Sequence, residues 1–254
     1  MTPSIFETDP AVAIFSGLSS IIKPKVAVVF VAMALSIFLV TYVGLYLFLN
    51  LTVSASNTYT NIYPSYVIPT ALGLVVLEFF VFFYLLSLSL EVKKRLEFKV
   101  PVNFKDSLFT ALIKFPKFLI ATIAQLFLVF GGFVLLIAPG FYFGVKSIFF
   151  NIESHNGGIT LSEGLKDSFN LTKGKFIKIL PIFSFYLVVF ALFIYLLFNA
   201  RLSLLDIYLG ASIVLSFFML CYTFSADKMY KILKKQSDNK ITSSLFRRAM
   251  SQNS

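Results

Sequence analysis

Three polar side chains interrupt long apolar stretches of this sequence: Glu78, Gln125 and Lys146. A carboxylate near the middle of a bilayer costs roughly 2.5–3.5 kcal/mol on insertion scales, so it must be paired, protonated or facing water. Counted from Glu91, Glu78 sits about 20 Å deep at helical rise, and Lys146, counted from Glu153, about 10 Å. Gln125, eight residues past Lys117, lies at a depth similar to that of Lys146. The three residues define a candidate intramembrane polar site in which Glu78 accepts a proton or cation and Lys146 is its counter-ion. The alternatives are a structural ion pair, or a neutral, hydrogen-bonded Glu78 with Lys146 snorkelling to the surface.

Other chemistry is sparse. One cysteine, Cys221, excludes an internal disulfide and any Cys-based metal site, and one histidine, His155, excludes multi-His constellations. His155, beside Asn156-Gly157-Gly158, reads as a solvated loop residue, and Cys221 as a small apolar filler. No P-loop, GxGxxG, GxSxG, HExxH or CxxC is present, and metal-dependent phosphodiester chemistry would need clustered carboxylate and imidazole ligands. The expectation is a protein that is not an enzyme, with no cofactor and no metal.

The elements that position these residues follow from composition. Of 254 residues, 58% are hydrophobic, 17% aromatic and only 13% charged, and the mean hydropathy is +0.86. A soluble domain carries about 25% charge, so a soluble globular protein is ruled out. Apolar runs span 26–49, 67–90, 118–137, 139–152, 176–198 and 204–226. Crossing a hydrocarbon core takes about 20 helical residues; the fourth run is short. It begins at Ala138-Pro139-Gly140, and 118–152 reads as a hairpin whose second arm is cramped or entered below the outer surface. The acidic start (Glu7, Asp9) and the long first run argue against a cleaved signal peptide.

Charge sets orientation. Of the 22 Lys and Arg residues, 20 fall on one face: before the first run, in 91–117, in 153–175 with Lys178, and after 226. Only Lys146 and Arg201 do not. The positive-inside rule then places both termini in the cytoplasm of a multi-pass cell-membrane protein. The 51–66 loop is external and uncharged, and carries an Asn50-Leu51-Thr52 sequon very close to the membrane. The net charge of +10 points to anionic lipid headgroups rather than nucleic acid, because the basic residues flank apolar runs. No protein partner or oligomeric state can be read.

A threefold pattern recurs. An amphipathic segment precedes each membrane hairpin and ends in a pair of lysines: 9–22 at Lys23 and Lys25, 103–115 at Lys114 and Lys117, and 160–172 at Lys173 and Lys175. Asp9-Pro10 is an N-cap followed by Pro at the first helical position, and Thr160-Leu161-Ser162-Glu163 has capping-box spacing. Stripes such as Ile14, Phe15, Leu18 and Ile22, or Leu161, Leu165 and Phe169, suit helices lying in the interface with lysines at the headgroups. The fold expected is all-α and polytopic: six transmembrane helices as three hairpins, each preceded by an interfacial helix. It forms one domain over 1–235, with pseudo-repeats at about 9–90, 103–152 and 160–226, and a loose polar tail over 236–254.

The stretch Pro139-Gly140-Phe141-Tyr142-Phe143-Gly144-Val145-Lys146, then Glu153, then Glu163 to Phe176, resembles a known family. It is similar to the six-span membrane domain attached to some glycerophosphoryl diester phosphodiesterases and to stand-alone YciC-type membrane proteins. That family's recurrent features are a Pro-Gly hairpin, a basic residue in the following span and an ALxxSxxLTxGxF stretch. Leu165, Ser168, Leu171, Thr172, Gly174 and Phe176 occupy the motif positions, with Gly164 in place of the small Ala. The resemblance implies a six-span helical fold with interfacial helices and no phosphodiesterase activity, since the catalytic barrel is absent. The residues support a non-catalytic scaffold or envelope-organising protein that contacts anionic lipid. The alternative is a small-solute or lipid transporter with a site at Glu78 and Lys146.

Overall fold

The computed structural model describes residues 9–57, 67–156, 160–199 and 204–252. They form helices α1 (Pro10–Ile21), α2 (Pro24–Asn57), α3 (Val67–Glu97), α4 (Phe104–Leu135), α5 (Ile137–Ser147), α6 (Phe150–Asn156), α7 (Leu161–Thr172), α8 (Phe176–Asn199) and α9 (Leu204–Gln252), with no strand among the described residues. The protein is an all-α, polytopic membrane protein. Five of these helices, α2, α3, α4, α8 and α9, are long and apolar enough to cross a bilayer.

The fourth apolar run does not make a sixth long helix. It is divided between α5, of 11 residues, and the short α6, which are separated by a turn at Ile148-Phe149. Ile148 keeps right-handed helical dihedrals (φ −55°, ψ −32°), so the interruption between the two pieces is confined to Ile148 and Phe149.

The local signals at helix starts hold. Asp9 Oδ1 accepts the Ala11 N–H at 2.9 Å and opens α1. Thr160 caps α7 with a complete capping box: the Glu163 N–H donates to Thr160 Oγ1, and the Thr160 N–H donates to Glu163 Oε2 at 2.8 Å. Asn103 Oδ1 accepts from the Lys105 N–H and opens α4.

The ends differ from expectation in four places. The 103–115 segment is not a separate helix, because α4 runs through Pro116 into the membrane span. A proline removes one backbone donor and crowds the preceding turn, but no left-handed residue stands beside it to turn the chain. Where the third copy does break, Gly174 adopts φ +71°, a conformation open to glycine. Second, α3 continues past Glu91 to Glu97 and closes in a Schellman motif, with the Val100 N–H on the Arg95 carbonyl and the Lys99 N–H on that of Leu96. Lys99 takes the left-handed position at φ 55°. The basic loop between α3 and α4 therefore shrinks to 98–103. Third, residues 51–57 belong to α2, while 58–66 lie outside the described residues. Fourth, α9 remains helical to Gln252 where a loose tail over 236–254 was expected; 227–252 contains neither Pro nor Gly to stop it.

The chain divides into two compact units, neither of which coincides with a pseudo-repeat. The first comprises residues 1–20, 114–187 and 221–254, and the second 21–113 and 188–220. In the first, α7 packs on α5 and α6, and the core includes Phe118, Phe149, Ile179, Ile182, Phe224 and Met229. In the second, α2 packs along α3 around Met33, Phe82, Leu86 and Val92.

Candidate functional site

The three amphipathic segments share a feature that their apolar stripes conceal. The residues they bury are mostly small: Ala13, Gly17 and Ser20 in α1, with Ile21 the one large exception, Ser107 and Ala111 in α4, and Gly164, Ser168 and Thr172 in α7. Each set repeats at i, i+3 or i, i+4, on one side of its helix. A Cβ on Gly17 would meet the Cys221 carbonyl at 2.8 Å and run into Ser225 Oγ, so α1 lies against the backbone of α9. In α7, Ser168 Oγ donates to the Lys146 carbonyl at 2.8 Å and Thr172 Oγ1 to the Ser168 carbonyl at 3.0 Å. The α4 start is held to α3 by Tyr84 OH on the Leu108 carbonyl (3.1 Å) and Arg95 Nη2 on Thr110 Oγ1 (3.2 Å). The large apolar residues point away from the protein: Phe15, Ile22, Leu108, Phe109, Leu112 and Ile113 are exposed, and Leu161, Leu165 and Phe169 are half-buried.

The lysines closing these segments sit at their ends. Lys23, Lys25, Lys117 and Lys173 are exposed, and Lys114 and Lys175 half-buried. Lys173 is the C-cap residue of α7.

Each intramembrane polar residue has a partner in its own unit. In the second unit, half-buried Glu78 on α3 accepts a long hydrogen bond, 3.4 Å, from Thr41 Oγ1 on α2. Thr41 also lines a cavity of about 130 Å³ together with Ile37, Phe190, Phe193, Ala211, Ser212 and Leu215. In the first unit, buried Gln125 shares a side-chain hydrogen bond with Tyr222 on α9. Lys146 on α5 is half-buried, with its ammonium 5.7 Å from the centre of the Tyr142 ring, within cation–π range.

A polar cluster that the sequence reading did not anticipate lies in the first unit. Glu153 on α6 is buried, and its Oε1 is 3.3 Å from Lys234 Nζ on α9. Lys234 also donates to the Tyr230 hydroxyl, which hydrogen-bonds Glu153 in turn. One turn earlier, buried Asp227 pairs with Lys231 at 2.7 Å. A phenol between a carboxylate and an ammonium satisfies all three groups, and the cluster ties α6 to α9. Its signal in the sequence is the i, i+4 spacing of Asp227 with Lys231 and of Tyr230 with Lys234; the Glu153 partner is not local.

Two assignments are corrected here. His155 is not a solvated loop residue: it lies in α6, 2% exposed, edge-on to the Phe118 ring at 5.9 Å. The α6 turn carries it inward because residues 152–155 are all buried. Likewise Lys93, read as part of a basic loop, is 2% exposed in α3, with Glu97 3.8 Å away, and Glu91 is buried next to Arg95 at 3.3 Å. Cys221 is fully buried in α9.

Chemically, these arrangements hold helices together and present apolar and cationic surface. Among the described residues no group of three or more His, Cys, Asp or Glu is placed to hold a metal ion. In comparisons with known proteins, no family model matches the chain, and no curated protein or solved structure is significantly similar to it.

Proposed function

We propose that this is a non-catalytic protein of the cytoplasmic membrane that organises the envelope by gathering anionic lipid at its inner face, with both termini in the cytoplasm. The observation that carries the reading is the orientation of α1, the start of α4 and α7. Mostly small residues pack inward, Phe15, Phe109, Leu112 and Ile113 face outward, and lysines stand at the ends of α1 and α7 and, within α4, on either side of Pro116. A helix so arranged beside a span sinks its large apolar side into acyl chains and holds its ammonium groups at phosphate level. The charge asymmetry supports the same side of the membrane for all three segments. Kinship with the phosphodiesterase-associated membrane domains belongs to this proposal, on the motif residues Ser168, Thr172 and Gly174.

Native mass spectrometry of the protein with mixed phosphatidylglycerol and phosphatidylcholine tests it. The native chain is expected to retain phosphatidylglycerol preferentially. Replacing Lys23, Lys25, Lys114, Lys117, Lys173 and Lys175 by Gln should weaken that preference by about fivefold per residue, from about 1 kcal/mol per basic group. Equal retention of the two lipids by the native chain defeats the reading.

A second reading, transport of a small solute or lipid, is favoured in its lipid form by the cavity beside Thr41. Its apolar walls suit a hydrocarbon group better than a hydrated ion, since apolar cavities of this order stay dry. Ala211→Phe, which fills it, should then abolish lipid scrambling in reconstituted vesicles; absence of scrambling by the native chain removes the reading.

A further inference from the structure

The corner between α4 and α5 is composed and exposed unlike a turn meant for water. From Phe118 to Val145 no residue is charged, and beyond Gln125 only Tyr142 carries a hydrogen-bonding side chain. At the corner itself Val134 is 85% exposed, Leu135 73%, Leu136 70% and Ile137 71%. Phe127 and Phe130 continue this surface down α4, three and four residues apart. A loop emerging into water would leave this apolar surface wet at a cost of about 25 cal/mol per Å².

Part of the backbone at the corner is satisfied within the protein. A lipid-exposed turn is excluded unless its polar groups are satisfied within the protein. Leu136 is the one extended residue (φ −168°, ψ 158°), yet its N–H donates to the Gly132 carbonyl at 3.0 Å and its carbonyl accepts from the Gly140 N–H at 3.4 Å. Pro139 has no N–H to satisfy. Gly132 and Gly140 make so sharp a corner feasible: a Cβ on Gly132 would stand 2.8 Å from the Gly140 backbone.

Length agrees. Rising from Lys117, α4 has 18 residues to Leu135, about 27 Å; from Ile137 down to Glu153 the interrupted return arm spans at most about 24 Å. Neither arm exceeds the hydrocarbon thickness of about 30 Å, and any tilt shortens both.

We infer that the α4–α5 hairpin is re-entrant: it enters from the side of Lys117 and Glu153, ends inside the hydrocarbon of the far leaflet, and is covered at its tip by lipid acyl chains. The far headgroup layer above Leu136 is then continuous. The occupant is lipid rather than a second copy of the chain, because the five consecutive exposed residues Val134 to Ala138 at a sharp corner offer a partner only a narrow surface, whereas acyl chains conform to it.

The chain contains no Trp, so Leu136→Trp introduces a single tryptophan at the tip, which can be excited apart from the tyrosines. In vesicles its emission should be blue-shifted, lost when the lipids carry bromine on their acyl chains, and untouched by aqueous iodide. Val134→Trp, two residues earlier on the same exposed surface, should behave alike and guards against a local disturbance by either substitution. Quenching by iodide would place the corner in water and overturn the inference. Blue-shifted emission insensitive to brominated lipid would place the tip under protein, such as a second copy, and overturn it equally.

Discussion

Lys234 Nζ lies 3.3 Å from Oε1 of Glu153, a residue 81 positions earlier, and the Tyr230 hydroxyl bonds to both. The carboxylate is buried and the ammonium half-exposed. Removing Lys234 therefore leaves a buried carboxylate facing a phenol alone. Loss of one partner of a fully buried pair costs about 3–5 kcal/mol; water reaching the Lys234 side reduces this to about 1–2 kcal/mol. Lys234→Met and Glu153→Gln should each lower the detergent melting temperature, and the double variant should lose less than the two losses combined. Strictly additive losses would mean that the pair does not hold α6 to α9.

Adjacent glycines in α4 should respond oppositely to alanine. Nothing lies within 4 Å of a Cβ on Gly131, whereas one on Gly132 meets the Gly140 backbone at 2.8 Å. Gly131→Ala should stabilise by about 0.5–1 kcal/mol through helix propensity, and Gly132→Ala should destabilise by about 1–3 kcal/mol through overpacking. Thermal unfolding of the two variants in the same detergent gives the comparison. Equal responses would contradict the close α4–α5 contact.

The cap of α7 should be sensitive to acid. The backbone N–H of Thr160, then its hydroxyl, and to a lesser degree Lys166, hold the Glu163 carboxyl below its ordinary value of 4.5. A carboxyl depressed in the folded state stabilises it fully above the ordinary value, and that contribution is lost as pH falls through the lower, folded one. Amide exchange over 161–172, corrected for intrinsic rates, should accelerate in this range. In Glu163→Gln the pH dependence should vanish. Persistence of the same dependence in that variant would assign it to another group.

At the end of α3, Lys99 occupies a left-handed backbone position, φ 55°, that glycine adopts without strain. Lys99→Gly should stabilise the protein by about 1 kcal/mol, since a side chain there costs about 1–2 kcal/mol. A lower melting temperature would show that the lysine side chain matters more than the backbone strain.

The orientation predicted from charge is checked by cysteine labelling in a Cys221→Ser background. An impermeant maleimide should reach Lys117→Cys and Lys173→Cys only from the cytoplasmic side and Ser56→Cys only from outside. The reverse pattern would invert the topology.

What the sequence by itself determined is local or compositional. Apolar runs separated by charge require membrane helices because the bilayer leaves the backbone no other way to satisfy its polar groups. Asp9-Pro10, Thr160 with Glu163, and Gly174 set helix ends through contacts or dihedrals within a few residues. Even the fourth run's shortness was legible, although its division into α5 and α6 was not. Tertiary structure decided what depends on distant partners. The large apolar stripes of α1, the start of α4 and α7 stand out in the sequence, but only packing reveals that Ala13, Gly17, Ser107, Ala111, Gly164 and Ser168 form the inner side. Nothing adjacent to His155 distinguishes a loop from a buried helix; Phe118 does, from 37 positions away in the chain. Glu153 and Lys234 likewise look like ordinary surface charges until α6 and α9 meet. Periodicity encodes the face of a helix, but which face meets protein and which meets lipid depends on the shape of its neighbours, since small residues admit a backbone and large ones fill acyl space.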